Sequence, residues 1–157
     1  MPPNSINVRL LSENDLPALL KIYEHLHAAD NPLPPEPDIA SVWVEIVADK
    51  RLHYFGAFID SELVSACHLA VIPNLTRGCR PYGVIENVVT HPGYRRRGLG
   101  KAVLGAALDH AWKLGCYKVV LLTGRKDSEI FRFYEAAGFD QNGKQAFLAK
   151  HPDCHTQ

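Results

Sequence analysis

The most constraining feature of this sequence is an apolar run, a basic turn with two glycines and an amphipathic pattern, in that order. Residues 83 to 89 are mostly β-branched and apolar, which predicts a strand. The turn reads Arg95-Arg96-Arg97-Gly98-Leu99-Gly100, and a helix is predicted to follow it. The apolar spacing that predicts this helix is carried by Leu99, Val103, Ala106, His110 and Leu114.

A strand that passes through such a turn into a helix predicts an anion site. The first N–H groups of a helix have no internal partner, and the helix dipole favours negative charge there. A glycine at this point lets a phosphate approach the backbone closely. The turn is not a nucleotide P-loop, because no Gly-Lys-Ser/Thr follows four residues after a first glycine. It is not the dinucleotide fingerprint either, because the third glycine is absent. On spacing alone, a solvated turn explains these residues equally well.

Two motifs resemble those of the GNAT N-acetyltransferase superfamily, whose members bind acetyl-CoA. The turn from Arg95 to Gly100 is similar to the superfamily's Arg/Gln-x-x-Gly-x-Gly/Ala signature. Further on, Phe133-Tyr134-Glu135-Ala136-Ala137-Gly138-Phe139 is similar to its Tyr-Glu-x-x-Gly-Phe element. The resemblance covers residues 83 to 139, and the first half of the chain matches only in its general pattern.

The predicted order of elements is β-α-α-β-β-β-α-β-α-β, within a single domain that spans residues 1–157. Its core is expected at residues 5–150, and residues 151–157 form a tail. The first strand contains Ile6, Val8 and Leu10, and the last covers residues 145–149. The resemblance implies an α/β (α+β) fold, with a mixed, mostly antiparallel central sheet and helices on both faces.

Smaller signals divide the first half of the chain. Residues 12 to 15 have the form of a capping box for a first helix, which the proline-rich residues 31 to 37 end. This link is either a plain connector or, as in similar proteins of the superfamily, a wall over an acceptor site. The loop at residues 73–82, with Arg77 and Arg80, is either a hairpin connection or an acceptor-recognition loop.

Composition narrows the class of protein. Seventeen basic and seventeen acidic side chains give zero net charge, which argues against a nucleic-acid partner. Four cysteines without Cys-x-x-Cys spacing are interpreted as free thiols. Neither a signal peptide nor a membrane-length apolar run is evident, so we expect a cytoplasmic protein with no membrane partner. The histidines show no metal-ligand spacing, so no metal is expected.

The resemblance implies how acetyl-CoA would be held. The diphosphate would lie against backbone N–H groups between Arg96 and Lys101, with charge from the arginines and with Arg95 at the signature position. The strand would part from its neighbour at a bulge and leave backbone groups free for the pantetheine and the thioester carbonyl. The expected cofactor-binding residues are Val88, Val89, Thr90, Arg95, Arg96, Arg97, Gly98, Leu99, Gly100, Lys101 and Ser128.

Two side chains are candidates for the proton transfers. Glu86 lies in an apolar strand, where desolvation would raise the pKa of its carboxyl group, and the superfamily often has a base at this position. Tyr134 matches the superfamily tyrosine and could protonate a departing thiolate. An exposed or ion-paired Glu86 and a merely structural Tyr134 are the alternatives. Asp127 stands where the superfamily often has a cofactor-binding Asn, so it is expected to cap the helix, and Ser128 could take over that contact.

The leading hypothesis is therefore direct transfer of an acetyl group from acetyl-CoA to a primary amine of a small molecule or peptide. One alternative is a non-catalytic acyl-CoA-binding regulatory or interaction module. Another is an RNA- or protein-binding domain that uses the three arginines. The sequence does not identify the acceptor, and dimerisation, which is common in the superfamily, remains open.

Overall fold

A computed structural model describes residues 5–154 and has a five-stranded mixed sheet at its centre. The strands are β1 (Asn7–Leu10), β2 (Leu52–Ile59), β3 (Glu62–Ile72), β4 (Tyr82–Thr90) and β5 (Val119–Leu121). They lie in chain order, with β1 to β4 antiparallel and β5 parallel to β4. Asp60 and Ser61, both with positive φ, form the tight turn between β2 and β3.

Helices connect and cover these strands. The bounds are α1 (Leu16–Tyr23), α2 (Glu36–Ala48), the single turn α3 (Thr76–Cys79), α4 (Leu99–Lys113) and α5 (Ser128–Ala136). Short 3₁₀ turns precede α1 at Glu13–Asp15 and α4 at Pro92–Tyr94. The mixed sheet with helices agrees with the predicted fold class.

Two apolar clusters lie on opposite faces of the sheet. One packs α4 against the sheet and contains Leu69, Ile85 and Leu104. The other packs α1 and α2 on the opposite face around Leu19 and Trp43. Because both faces are covered, β2 and β3 read as nearly continuous apolar runs rather than as alternating patterns.

The capping box at the start of the first helix is confirmed. The backbone N–H of Ser12 donates to Asp15 Oδ2 at 2.7 Å. Arg9 also donates two hydrogen bonds to the Asp15 carboxylate, at 2.7 and 2.9 Å. The hydrogen bond from Arg9 is the main reason why the pKa of Asp15 lies well below its usual range. This ion pair fixes β1 to the start of α1.

The predicted apolar faces of two helices are partly wrong. In α4 the buried residues include Leu104, Ala107 and Ala111, whereas Leu114 follows the helix and is 43% exposed. The small alanines let the helix approach the sheet, so the buried stripe is rotated from the one that the larger residues predict. For α2, the apolar spacing in the sequence predicts a face with Ile39, Val42, Trp43 and Ile46. Trp43 is buried, but Val42 is 55% exposed.

The predicted last strand at residues 145–149 is absent. This segment has no regular secondary structure, and Phe147 and Leu148 are 91% and 74% exposed. A strand requires a hydrogen-bonding neighbour, and this segment pairs with no strand in the described part of the chain. The expected tail, residues 151–157, is described only as far as Cys154. Residues 155–157, and residues 1–4 of the single-domain assignment, lie outside the described residues.

Candidate active site

A cleft opens where β4 and β5 part. Their parallel pairing runs from Gly83 opposite Val119 to Ile85 opposite Leu121 and goes no further. Beyond Ile85, the edge of β4 that faces β5 therefore has no strand neighbour. A cavity of about 1200 Å³ occupies this opening, and its lining includes the turn before α4, the residues after β5 and the inner side of α5.

A bulge in β4 marks the start of the opening. Glu86 is opposite His68 and Val89 is opposite Ala66, so two residues of β4 face the single residue Cys67 of β3. Asn87, inside this bulge, has a φ of +53°. A bulge of this kind bends a strand and interrupts its hydrogen-bond ladder. Both the bulge and the parting of the strands agree with what the family resemblance implies.

Not all backbone groups near the bulge are free. The Val89 carbonyl accepts a hydrogen bond of 2.9 Å from Ser65 Oγ, and the Ser65 and Thr90 hydroxyls lie 2.9 Å apart. Val89 is therefore tied to β3, contrary to the expectation that its backbone groups lie free. Val88 and Thr90 also line the cleft, so the expected contact with a thioester falls mainly on them.

The glycine turn forms the floor of one end of the cleft. Gly98 is the N-cap of α4 with a φ of +77°, and a side chain added there would enter open space. At Gly100, by contrast, a Cβ atom would lie 2.9 Å from Phe133 Cζ and 3.3 Å from Thr90 Oγ1. Gly98 thus leaves room for a ligand, whereas Gly100 permits close packing between α4 and α5. Leu99 and Lys101 also line this end.

The three arginines of the turn point in different directions. Arg95 Nε donates to the Thr90 carbonyl at 3.4 Å, and Arg96, with a φ of +62°, lies 3.8 Å from Glu129. Both line the cleft, but Arg97 does not. The guanidinium group of Arg97 lies 5.2 Å from the centre of the Tyr94 ring.

Glu86 lines the cleft but is not desolvated. The residue is exposed, because β4 has already left β5 at this position. The expectation that the carboxyl group of Glu86 is desolvated is therefore wrong. Its charge contributes to raising the pKa of Tyr134, so the two groups act on one another within the same cleft.

Tyr134 lies on α5, on the opposite wall of the cleft from β4. Its half-buried ring packs against Phe133 and Phe139, with ring centres 4.9 and 6.3 Å away. Burial is the main cause that raises the pKa of its hydroxyl group, and the charge of Arg125 opposes it. Tyr134 is thus kept protonated at neutral pH, as a proton donor must be.

Asp127 caps α5, as the sequence analysis expected. Its Oδ1 accepts a hydrogen bond of 3.0 Å from the Ile130 N–H, and its Oδ2 receives one of 3.0 Å from Arg125 Nε. Ser128 does not line the cleft. It is the exposed first residue of α5, and its carbonyl accepts a bond from Arg132, so the predicted cofactor contact of Ser128 is not supported.

The wall formed by the segment between α1 and α2 was only partly predicted from the sequence. Residues 25–30, between α1 and α2, line it with two histidines and a carboxylate, His25, His27 and Asp30. His25 packs edge-on against His91, with ring centres 4.7 Å apart. The sequence signal was the run of polar residues before the prolines, and the wall is formed by those polar residues rather than by the prolines. The loop with Arg80 lies elsewhere, since Arg80 donates to the carbonyls of Gly115 and Cys116.

Within residues 5–154, the histidine, cysteine and acidic side chains include no group of three or more that could hold a metal ion. No helix in the same range is both long and apolar enough to cross a membrane.

Comparison with known proteins agrees with this geometry. The acetyltransferase (GNAT) family matches residues 17–139. A glucosamine 6-phosphate N-acetyltransferase of Trypanosoma brucei brucei is 33% identical, over 91% of this chain and 95% of its own. A provisionally assigned acetyltransferase from Agrobacterium tumefaciens str. C58 has a TM-score of 0.86 and 39% identity, covering 92% of this chain and 99% of its own. Glucosamine-6-phosphate N-acetyltransferase from Arabidopsis thaliana shares the fold, with a TM-score of 0.81 and 22% identity, over 95% and 99% of the two chains. The chain belongs to the GNAT family of N-acetyltransferases.

Proposed function

We propose that this protein transfers the acetyl group of acetyl-CoA directly to a primary amine of a small molecule. The observation that carries the proposal is one cleft that joins the glycine turn of α4 to Glu86 and Tyr134. A second cavity, of about 200 Å³, lies beside Trp43 and Tyr54 and is lined by none of these residues.

The glycine turn fits the diphosphate of acetyl-CoA. The helix start at Gly98 provides unpaired N–H groups beside open space, and Arg95, Arg96 and Lys101 add positive charge. The parted edge of β4 near Val88 and Thr90 would receive the pantetheine arm. When bound, acetyl-CoA supplies an activated acetyl thioester. No metal is needed for this chemistry, because the chain provides both proton-transfer groups.

The reaction requires two proton movements from the acceptor nitrogen. An amine with a pKa near 10.4 is almost entirely protonated at pH 7, so Glu86 accepts the first proton, directly or through water, and passes it to solvent. The Tyr134 hydroxyl gives its proton to the departing thiolate sulfur, and the nitrogen's second proton restores it. One proton is released in total, and no covalent acyl-enzyme is required. The buried Cys67, whose pKa burial raises to about 12, is no candidate nucleophile.

An amino sugar phosphate is the first acceptor to test. The trypanosomal relative, which this chain matches over nearly its whole length, is named for glucosamine 6-phosphate. A peptide amine is the second acceptor class of the proposal. The proposed location is the cytoplasm, since all four cysteines are free thiols, as a reducing compartment favours.

A thiol-release assay tests the proposal. Acetyl-CoA is offered with glucosamine 6-phosphate, glucosamine, an aminoglycoside and a lysine peptide, and free CoA thiol is measured. We expect release with at least one small amine. Acetyl-CoA that protects the protein against unfolding, without any release, would favour the non-catalytic module. Neither protection nor release, with salt-dependent RNA binding instead, would favour the nucleic-acid alternative.

Glu86→Gln tests the base. The variant should lose most activity below the pKa of the acceptor amine, where a proton must be removed, and approach the parent at higher pH. Glu129→Gln is the matched control, because Glu129 lines the same cleft but lies beside Arg96. An equal ratio of variant to parent rates at every pH would remove Glu86 from the role of base.

A further inference from the structure

A row of polar side chains crosses the face of the sheet beneath α1 and α2. Glu86 of β4 is paired with His68 of β3, and His68 is paired with Tyr54 of β2. Residues directly opposite each other in antiparallel strands project from the same face, with Cβ atoms about 4.5–5.5 Å apart. Leu69 and Ile85, the neighbours of His68 and Glu86 along their strands, pack in the cluster beneath α4. His68 and Glu86 therefore share the opposite face of the sheet.

Aromatic packing fixes the imidazole ring of His68 behind Glu86. The ring is half-buried and stacks on Tyr54, with ring centres 4.2 Å apart and an angle of 14° between the planes. Tyr54 in turn packs edge-on against Trp43, with ring centres 5.3 Å apart. The indole N–H of Trp43 donates to the Glu13 carbonyl at 3.1 Å. The row thus runs from an anchored side chain of α2 to the exposed carboxylate in the cleft.

The imidazole of His68 has a polar atom that the fold does not use. Its Nε2 is buried and has no hydrogen-bond partner among residues 5–154. A buried polar atom without a partner costs free energy, so its presence beside a candidate active site calls for a functional reason. A neutral imidazole always keeps one ring nitrogen that can accept a proton.

The titratable groups around His68 are Glu86 on β4, Tyr54 and His53 on β2, and Tyr23 on α1. Burial is the main cause that lowers the pKa of His68, and His53 adds to the effect. Burial also raises the pKa values of Tyr23 and Tyr54. Both tyrosines and both histidines are therefore neutral at pH 7. A proton that reaches His68 finds one opposite charge nearby, that of Glu86.

We propose that His68 is a positioning residue that acts through Glu86, by taking over the proton that Glu86 removes from the acceptor amine. The N–H bond of the amine breaks as the O–H bond of Glu86 forms, and this O–H bond then breaks as an imidazole nitrogen of His68 gains the proton. The carboxylate is regenerated while acceptor and cofactor still fill the cleft. The imidazolium returns the proton to solvent after the product leaves. This inference rests on the proposed function, since it assigns the route of a proton that Glu86 accepts.

An NMR titration tests the coupling of the two groups without any substrate. Glu86→Gln removes the charge opposite His68, so the pKa of His68 should fall, because a nearby carboxylate favours the imidazolium form. Glu129→Gln, elsewhere in the same cleft, is the control and should leave that pKa unchanged. The resonance that disappears in His68→Gln identifies the signal. If the pKa of His68 is the same in Glu86→Gln as in the parent, the proposal is overturned, whatever the protein acetylates.

Kinetics with the amine identified by thiol release test whether the coupling serves the reaction. His68→Gln should lower kcat at least about tenfold, less than the 10²–10⁴ expected of a group that touches the substrate, and leave CoA affinity unchanged. It should also remove the loss of activity that the parent shows as His68 becomes protonated in acid. His53→Gln is the matched control, because His53 is also half-buried but packs against His110 of α4. It should keep the parent kcat.

A double variant distinguishes a positioning role from a structural one. If His68 acts through Glu86, His68→Gln should lower kcat in the parent but cause no further loss in Glu86→Gln. Additive losses would show that His68 only supports the fold, and the proposal would be overturned. A fully active Glu86→Gln would remove the proposed base and this inference together. An impaired Glu86→Gln beside a fully active His68→Gln would overturn this inference alone.

Discussion

The two walls of the cleft differ in how much of the chain supports them. On the β4 side, the fifteen-residue α4 buries six residues, Leu99, Gly100, Val103, Leu104, Ala107 and Ala111. On the other side, β5 has three residues and α5 has none that is fully buried. The wall that would hold the cofactor is therefore fixed by the core. The wall that carries Tyr134 depends on a few half-buried aromatic contacts.

This difference has a physical interpretation. A diphosphate site must present backbone N–H groups in one arrangement, which a buried helix start provides without reorganisation. Segments with few buried apolar contacts open locally at low free-energy cost, and such segments commonly carry the parts of a site that move. We expect acetyl-CoA to stabilise the α5 wall more than the α4 wall.

The largest effect is expected at the weaker wall. Tyr134→Phe keeps the ring packing against Phe133 and Phe139 but removes the proton donor, so kcat should fall by about 10²–10⁴ while CoA affinity changes little. Steady-state kinetics and calorimetry measure the two quantities. Tyr117→Phe, outside the cleft lining, is the control. Unchanged turnover would show that Tyr134 is not the acid. The two walls would then differ in their packing but not in the roles assigned to them.

At the stronger wall, Gly98→Glu should weaken CoA binding by at least about tenfold, or about 1.4 kcal/mol. The new carboxylate would enter the open space at the helix start and repel the diphosphate. Gly115→Glu is a matched control, since Gly115 also has positive φ and open space but lies beyond the other end of α4. Calorimetry measures the affinity of each variant for CoA. If Gly98→Glu binds CoA as tightly as the parent, the diphosphate lies elsewhere.

The contact between the walls can be tested with two glycines of one helix. Gly100→Ala would place a Cβ 2.9 Å from Phe133 Cζ and should cost about 1–3 kcal/mol of unfolding free energy as α5 is displaced. Gly105→Ala, with no atom within 4 Å, should stabilise the protein by about 0.5–1 kcal/mol. Urea unfolding measures both. Equal effects of the two variants would show that α5 yields freely at this contact.

The smallest expected effect is a loss of stability in acid, caused by three histidines of the sheet and α4. Burial is the main cause that lowers the pKa values of His53, His68 and His110, and His53 Nδ1 lies 3.2 Å from His110 Nε2. Below about pH 6.5 these histidines bind more protons in the unfolded chain than in the folded chain. The free energy of unfolding should therefore decrease as the pH is lowered.

Unfolding measured between pH 5 and 8 checks this slope. His110→Gln should reduce it, whereas His27→Gln, at an exposed position, should leave it unchanged. A parent protein equally stable across this range would contradict the assignment of buried, neutral histidines.

The sequence predicted the parts of the molecule that local chemistry determines. Arg95 to Gly100 identified the turn and the start of α4, and the capping pattern at Ser12 identified the start of the first helix. The fate of residues 145–149 could not be read in this way, because a strand exists only beside another strand. Glu86 was misjudged for a related reason, since its exposure follows from where β5 stops pairing, about 35 residues further along the chain.

The single extra residue in β4 has a consequence for the whole sheet. Ile85 packs in the cluster beneath α4 and Val89 in the cluster beneath α1 and α2, although side chains four positions apart in a regular strand share a face. Asn87, which lies in the bulge, shifts the alternation of side chains between the two faces of the sheet. Removing it would force one of these two side chains out of its cluster, so a deletion there would damage the core as well as close the gap through which the acetyl donor reaches its acceptor.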